Sequence, residues 1–204
     1  MEASEWIQKY TNEISVKSGS SKKLFAIGMV GTTGSGKSFI ANLLEKELGL
    51  FVTSNDEIRR FMNKNGLPGM FPDQKLLEKI TEGTTKFLYK KRISHIIDAD
   101  LVWAYEQAIK NAQNHKADFY LIRVVCPEKE IIKRLKKRAL LLSQDKLKEA
   151  GYSLSGYEEY LKRTKIHNKT NIPKDKIYLE IDTSKNLKAQ INILKQKLKL
   201  SGSL

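Results

Sequence analysis

Apolar positions along the chain follow two rhythms. Short, nearly continuous apolar runs of strand length cover residues 24–30, 50–54, 93–100, 119–126 and 176–182. Between them apolar residues recur every three or four positions, the spacing of a helix with one buried face. Phe39, Ile40, Leu43, Leu44 and Leu48 form one such set, closed by Gly49 as a stop signal. Leu76, Leu77, Ile80, Phe87 and Leu88 form a second, in a helix opening at Asp73. A third helix covers 101–114, with Trp103, Ala104 and Ala108 among its apolar positions, and a fourth runs from Glu128 to about Leu142. Leu187, Ile191, Leu194 and Leu198 line the last. Continuous apolar strands alternating with helices predict a parallel sheet with right-handed crossovers and helices on both faces.

Two segments stand outside this alternation. Trp6, Ile7, Tyr10 and Ile14 give residues 2–17 a helical pattern, and a polar Ser/Gly/Lys joint follows, so residues 1–22 are expected to add a helix to a single domain over 23–200. Residues 139–175 are polar, with Gly151, Gly156, Tyr152, Tyr157 and Tyr160, and are expected to form a helical insertion with the character of a lid. Residues 65–72 form a Gly/Pro loop whose Met70 and Phe71 either cover a substrate or plug the core edge.

The chemistry begins between the first strand and its helix. Gly31, Thr32, Thr33, Gly34, Ser35, Gly36, Lys37 and Ser38 fit G-x-x-x-x-G-K-[ST], the phosphate-binding P-loop, with the strand before it and the helix after it that the motif requires. Glycines let backbone N–H groups approach phosphate oxygens, and the helix N-terminus adds unpaired donors and positive partial charge. Lys37 is expected on the β- and γ-phosphates of ATP, with the Ser38 hydroxyl on Mg²⁺.

Acids and arginines follow at the ends of later strands. Asp56 lies just beyond the second strand. It is either a first-turn helix acid or, near the mouth where an open α/β sheet binds ligands, a group placed to take a proton from a substrate hydroxyl. Arg59, with Arg60 beside it, is placed to hold an anionic substrate. Asp98 ends the third apolar run and is expected to support Mg²⁺, with Asp100 as the alternative. His95 alternates with buried isoleucines and has the place of a structural residue. Arg134 and Arg138 sit one turn apart on the basic helix after Pro127, where an arginine can neutralise charge on a moving phosphoryl group. Arg163, Lys165 and His167 in the insertion are further basic candidates.

Composition narrows the class without changing it. The 204 residues are 40% hydrophobic and 29% charged, ordinary for a globular domain. No apolar run reaches the roughly 18–20 residues of a membrane helix, the N-terminus lacks a signal-peptide core, and Cys126 is the only cysteine. A cytoplasmic protein without membrane contact is expected. A net charge of +14 favours anionic partners: nucleotides, a phosphorylated acceptor, or nucleic acid.

Taken together, these residues resemble the P-loop kinases of the polynucleotide kinase and zeta-toxin type, including small ATP-binding kinases described only as AAA-domain proteins. The resemblance spans about residues 24–198 and rests on 27–38, 54–59, 96–99, on 125–128 leading to Arg134 and Arg138, and on 181–184. It implies a three-layer α/β P-loop fold with a five-stranded, mostly parallel sheet in the order 2-3-1-4-5. It also implies Asp56 as general base, Arg59 on the acceptor phosphate, Arg138 as the lid arginine, and Asp98 as the strand-end acid. Asn55 stands where Ser or Asp is common, and 139–175 matches no single subfamily. The start is also similar to dephospho-coenzyme A kinase. The activity expected is transfer of the γ-phosphate of ATP to a nucleic acid 5′-end, a nucleotide sugar or a small phosphorylated metabolite. The alternatives are an ATP-dependent switch and a nucleic-acid-binding NTPase.

Overall fold

The computed structural model describes residues 2–14, 23–66, 74–143, 160–161, 164–165, 172–200 and 203. The expectations for the 17–22 joint, Met70, Phe71, Arg163, His167 and most of the 139–175 insertion lie outside the described residues. In chain order the elements are α1 (Ala3–Glu13), β1 (Phe25–Val30), α2 (Lys37–Leu48), β2 (Phe51–Ser54), α3 (Asn55–Lys64), α4 (Gln74–Lys90) and β3 (His95–Asp100). A 3₁₀ turn (Leu101–Trp103), α5 (Tyr105–Asn114), β4 (Asp118–Val125), α6 (Glu128–Ser143), a second 3₁₀ turn (Lys174–Lys176), β5 (Leu179–Asp182) and α7 (Leu187–Leu200) follow.

The strands form one sheet in the order β2-β3-β1-β4-β5, and every pairing is parallel. β1 lies at the centre with all six residues buried, which is why its sequence is apolar without alternation. Its odd-numbered side chains Phe25, Ile27 and Met29 pack with Ile40 and Leu44 of α2 and with Ile191, Leu194 and Leu198 of α7. On the other face, Ala26 packs with Tyr89 of α4 and Ala112 of α5, and Val30 packs with Leu101 and Val102. The sheet is thus covered on both faces.

The β1–β3 pairing carries an irregularity that matters for the site. Gly28 pairs with Ile97, but Met29 pairs with Asp100, so Asp98 and Ala99 form a bulge against β1. Bulges re-aim side chains beside active sites. Gly28 sits at the bulge because Phe119 and Leu101 press onto its α-carbon; a β-carbon there would overlap both. β3 then ends where the Asp100 carboxylate accepts from the Val102 N–H at 3.4 Å. This tight turn replaces the first turn of the helix expected over 101–114.

α1 packs onto α3 and α4. Trp6 and Tyr10 meet the Phe61 ring edge-on at centroid distances of 6.0 and 5.0 Å, within a cluster that includes Ile58, Met62, Leu77 and Ile80. Burial pushes the Tyr10 phenol up to about 12. No helix among the described residues is long and apolar enough to cross a membrane.

His95 is fully buried, with Nδ1 3.0 Å from the Ile93 carbonyl and Nε2 lacking a hydrogen-bond partner. Burial lowers its pKa from the ordinary 6.5 to about 4. Below 6.5 the unfolded chain takes up a proton that the native state refuses, so this contribution to stability is complete above pH 6.5 and lost as pH falls toward 4. Denaturant titration at pH 7 and pH 4.5 should therefore show a smaller acid-induced loss in His95→Gln than in the parent, by roughly 2–3 kcal/mol. Equal losses in both proteins would rule this out.

Candidate active site

The P-loop connects β1 to α2 at the C-terminal end of the central strand, beside the point where the chain crosses to opposite sides of the sheet. Its shape needs glycine. Gly34 and Gly36 have φ of +82° and +103°, and a β-carbon on Gly31 would run into the Val124 carbonyl. The loop's own carbonyls are held. Lys37 Nζ donates to Gly31 O at 2.6 Å and to Thr32 O at 3.2 Å. The Thr183 hydroxyl, beyond β5, donates to Ser35 O at 2.6 Å. Arg134 of α6 donates to Thr183 Oγ1 and O at 2.8 and 3.0 Å and to Gly34 O and Ser35 O at 3.3 Å.

The bulge in β3 brings Asp98 to this loop, where Ser38 Oγ donates to Asp98 Oδ1 at 3.2 Å. Burial pushes the Asp98 carboxyl upward, opposed by the Ser38 hydrogen bond and by the charge of Lys37. A hydroxyl and a carboxylate in contact are hard oxygen donors. Among the described residues there is no cluster of three or more His, Cys, Asp or Glu that could hold a metal by itself. Ser38 and Asp98 could thus contribute oxygen ligands to a Mg²⁺ ion whose remaining ligands are phosphate and water. Asp100 lines the same cleft, but its carboxylate caps the turn at Val102.

Asp56 stands in the first turn of α3, whose N-cap Ser54 accepts from the Asp56 N–H at 3.3 Å. The Asp56 carboxylate accepts from Arg59 at 2.7 Å, with Arg59 the more buried partner. Asn55, next to it, accepts from Thr81 at 2.6 Å, which ties α3 to α4.

Lys37, Ser38, Asp56, Arg59, Asp98, Arg134 and Arg138 all line one cleft of about 1650 Å³. Arg60 does not line it; it lies one position off that face and sits 3.9 Å from Glu57. Arg134 lines the cleft, and its donors go to loop carbonyls and Thr183, the geometry of a strap behind the P-loop. Three contributors do not stand out in the pattern. Thr183 falls only within the 181–184 motif. Phe39 and Trp103 have the spacing of apolar helix positions, but they are 60% and 61% exposed and line the cleft.

The sequence matches the AAA domain family over residues 27–150. The chain belongs to this family. Its fold is that of small P-loop kinases. Kti12 of Chaetomium thermophilum, solved with ADP-AlF3, superposes with a TM-score of 0.64 at 16% identity, over 88% of this chain and 99% of that one. The Mycobacterium tuberculosis APS kinase CysC, in complex with AMPPNP and APS, has a TM-score of 0.51 at 16% identity, over 87% and 98%. A gluconokinase from Sinorhizobium meliloti has a TM-score of 0.52 at 12% identity, over 82% and 87%. At such identities the likeness is one of fold. No curated protein sequence matches.

Thr183→Val removes the donor to Ser35 O and an acceptor of Arg134 in nearly the same volume. It should destabilise the fold by about 1–3 kcal/mol and speed amide exchange selectively in residues 31–36. Unchanged loop exchange by mass spectrometry would contradict the strap.

Proposed function

We propose that this AAA-domain protein is an ATP-dependent phosphotransferase that moves the γ-phosphoryl group to an acceptor hydroxyl. One observation carries this: Lys37, the Ser38–Asp98 pair and the Asp56–Arg59 pair meet in a single cleft at the C-terminal edge of the sheet. A protein that only bound nucleotide would need the first two. An acid and an arginine across the cleft from the loop are what an acceptor needs.

In this scheme the P-loop amides and Lys37 bind the triphosphate of ATP. Ser38 and Asp98 would hold Mg²⁺, which would supply charge neutralisation of the phosphate oxygens. Lys37 exchanges loop carbonyls for phosphate oxygens, a short swing for a long flexible side chain. Arg59 turns from Asp56 to the anionic group of the acceptor, which frees the carboxylate for the hydroxyl. The acceptor oxygen then bonds to the γ-phosphorus while the bond to the β,γ-bridging oxygen breaks. ADP leaves with that electron pair, and the hydroxyl proton passes to Asp56. Arg138, on the cleft wall, stabilises charge on the transferring group.

Labelled γ-phosphate from ATP–Mg²⁺ should pass to a member of an acceptor panel, with Lys37→Ala as the blank. Asp56→Asn should lower transfer by about 10²-fold or more while ATP affinity stays unchanged. Undiminished transfer in Asp56→Asn would remove Asp56 from the role of base.

A further inference from the structure

The two most exposed large apolar side chains among the described residues, Trp103 and Phe39, both open into the cleft. Each sits beside the reacting groups: Phe39 follows Ser38, and Trp103 ends the turn that follows Asp98 and Asp100. Trp103 is held there by its neighbours. Leu101 and Val102 are buried at 6% and 1% exposure, and Leu101 seats against the bare α-carbon of Gly28. An indole fixed in water by buried flanking residues is a platform for a flat apolar surface.

The rest of the cleft says what the flat surface belongs to. Its volume of about 1650 Å³ exceeds the roughly 300–1,000 Å³ of a typical single-ligand pocket, so a second sizeable molecule fits beside ATP. Past Trp103 it continues between α4 and α5, lined by Thr81, Thr85, Gln107 and Asn111. Thr81 donates its hydroxyl proton to Asn55 Oδ1 and Leu77 O and Thr85 donates to Thr81 O, which leaves both hydroxyls as acceptors, while the Gln107 and Asn111 amides both donate and accept, as the edge of a nucleobase requires. The charges are uneven. Arg59 is the cation lining the acceptor side, whereas the α4 wall carries Glu78 and Glu82, the latter paired with Lys86 at 2.6 Å, so this side offers no basic run for a chain of phosphates.

From this, and resting on the phosphotransferase reading above, we propose that the acceptor is a nucleoside or nucleoside monophosphate. Its base stacks on Trp103 with Phe39 flanking, and its sugar end meets Asp56 and Arg59. A free monomer fits the neutral and acidic walls; a polynucleotide does not.

The chain's two tryptophans make this measurable, because Trp6 is buried at 2% exposure and its indole nitrogen has no partner. In the 204-residue chain carrying Trp6→Phe, Trp103 is the sole indole. With the donor site saturated by AMPPNP–Mg²⁺, the four nucleosides and their monophosphates would be titrated against Trp103 fluorescence. Ribose 5-phosphate serves as the base-free control and a 5′-hydroxyl oligonucleotide as the polymer. At least one monomer should quench saturably, and ribose 5-phosphate should not. In the otherwise unaltered chain, Trp103→Ala should weaken that monomer about tenfold, Trp103→Phe far less, and AMPPNP affinity should stay within about twofold. Quenching by no monomer, equal binding of ribose 5-phosphate, or unchanged affinity in Trp103→Ala would overturn the proposal. An oligonucleotide that binds more tightly than its monomer would overturn the free-monomer form. Label transfer on the same panel separates the two claims. Transfer to a base-free acceptor, indifferent to Trp103→Ala, sinks the stacked acceptor alone; Trp103-dependent binding without any transfer sinks the phosphotransferase alone.

Discussion

A loop that turns its backbone amides toward a polyanion must place its carbonyls somewhere else, and they must not drift back. Here that constraint is met by donors from three parts of the chain. Lys37 holds Gly31 and Thr32 from within the loop, Thr183 holds Ser35 from beyond β5, and Arg134 reaches Gly34 and Ser35 from α6. Much of the sheet topology serves this arrangement. β1 must be central for the loop to have neighbours on both sides, and β4 and β5 must be parallel to it for α6 and Thr183 to arrive at the same end. The left-handed glycines make the loop possible, and the strap makes it hold one conformation.

The order of elements was legible because β1 and β4 are mostly apolar runs with clear breaks, and because Gly49 and Pro127 punctuate the chain. The P-loop was legible because its chemistry tolerates few substitutes. Asp56 could be singled out since a strand-end acid in an open sheet has a restricted set of uses. What could not be read was side-chain direction where the backbone departs from regular geometry. Trp103 has a helical neighbourhood in sequence, but the capped turn after Asp100 takes it off the helix and into the cleft. Arg60 beside Arg59 looks equivalent on paper, yet the step of about 100° between adjacent helical positions takes Arg60 off the cleft face and to Glu57. The roles of Thr183 and Arg134 depend on a contact between residues 49 apart that no local pattern encodes.

The chain's excess of positive charge also reads differently once the cleft is known. It suggested anionic partners in general. Within the cleft, Lys37, Arg134 and Arg138 cluster on the P-loop side, while the α4 wall carries glutamates. Overall charge therefore reports on the surface the protein offers to solvent and says little about the α4 side of the cleft, where the lining is of mixed polarity.

The pairing of Asp56 with Arg59 bears on economy. Water is always present at about 55 M, and a bare carboxylate poised beside bound ATP would activate it as readily as any alcohol. An arginine clasped on that carboxylate at 2.7 Å occupies the oxygen that would take the proton until something else claims the guanidinium. If Asp56 is the base, ATP in the idle protein is protected from futile hydrolysis by an ion pair three residues long, and the molecule that releases the safety catch is the one that should receive the phosphate.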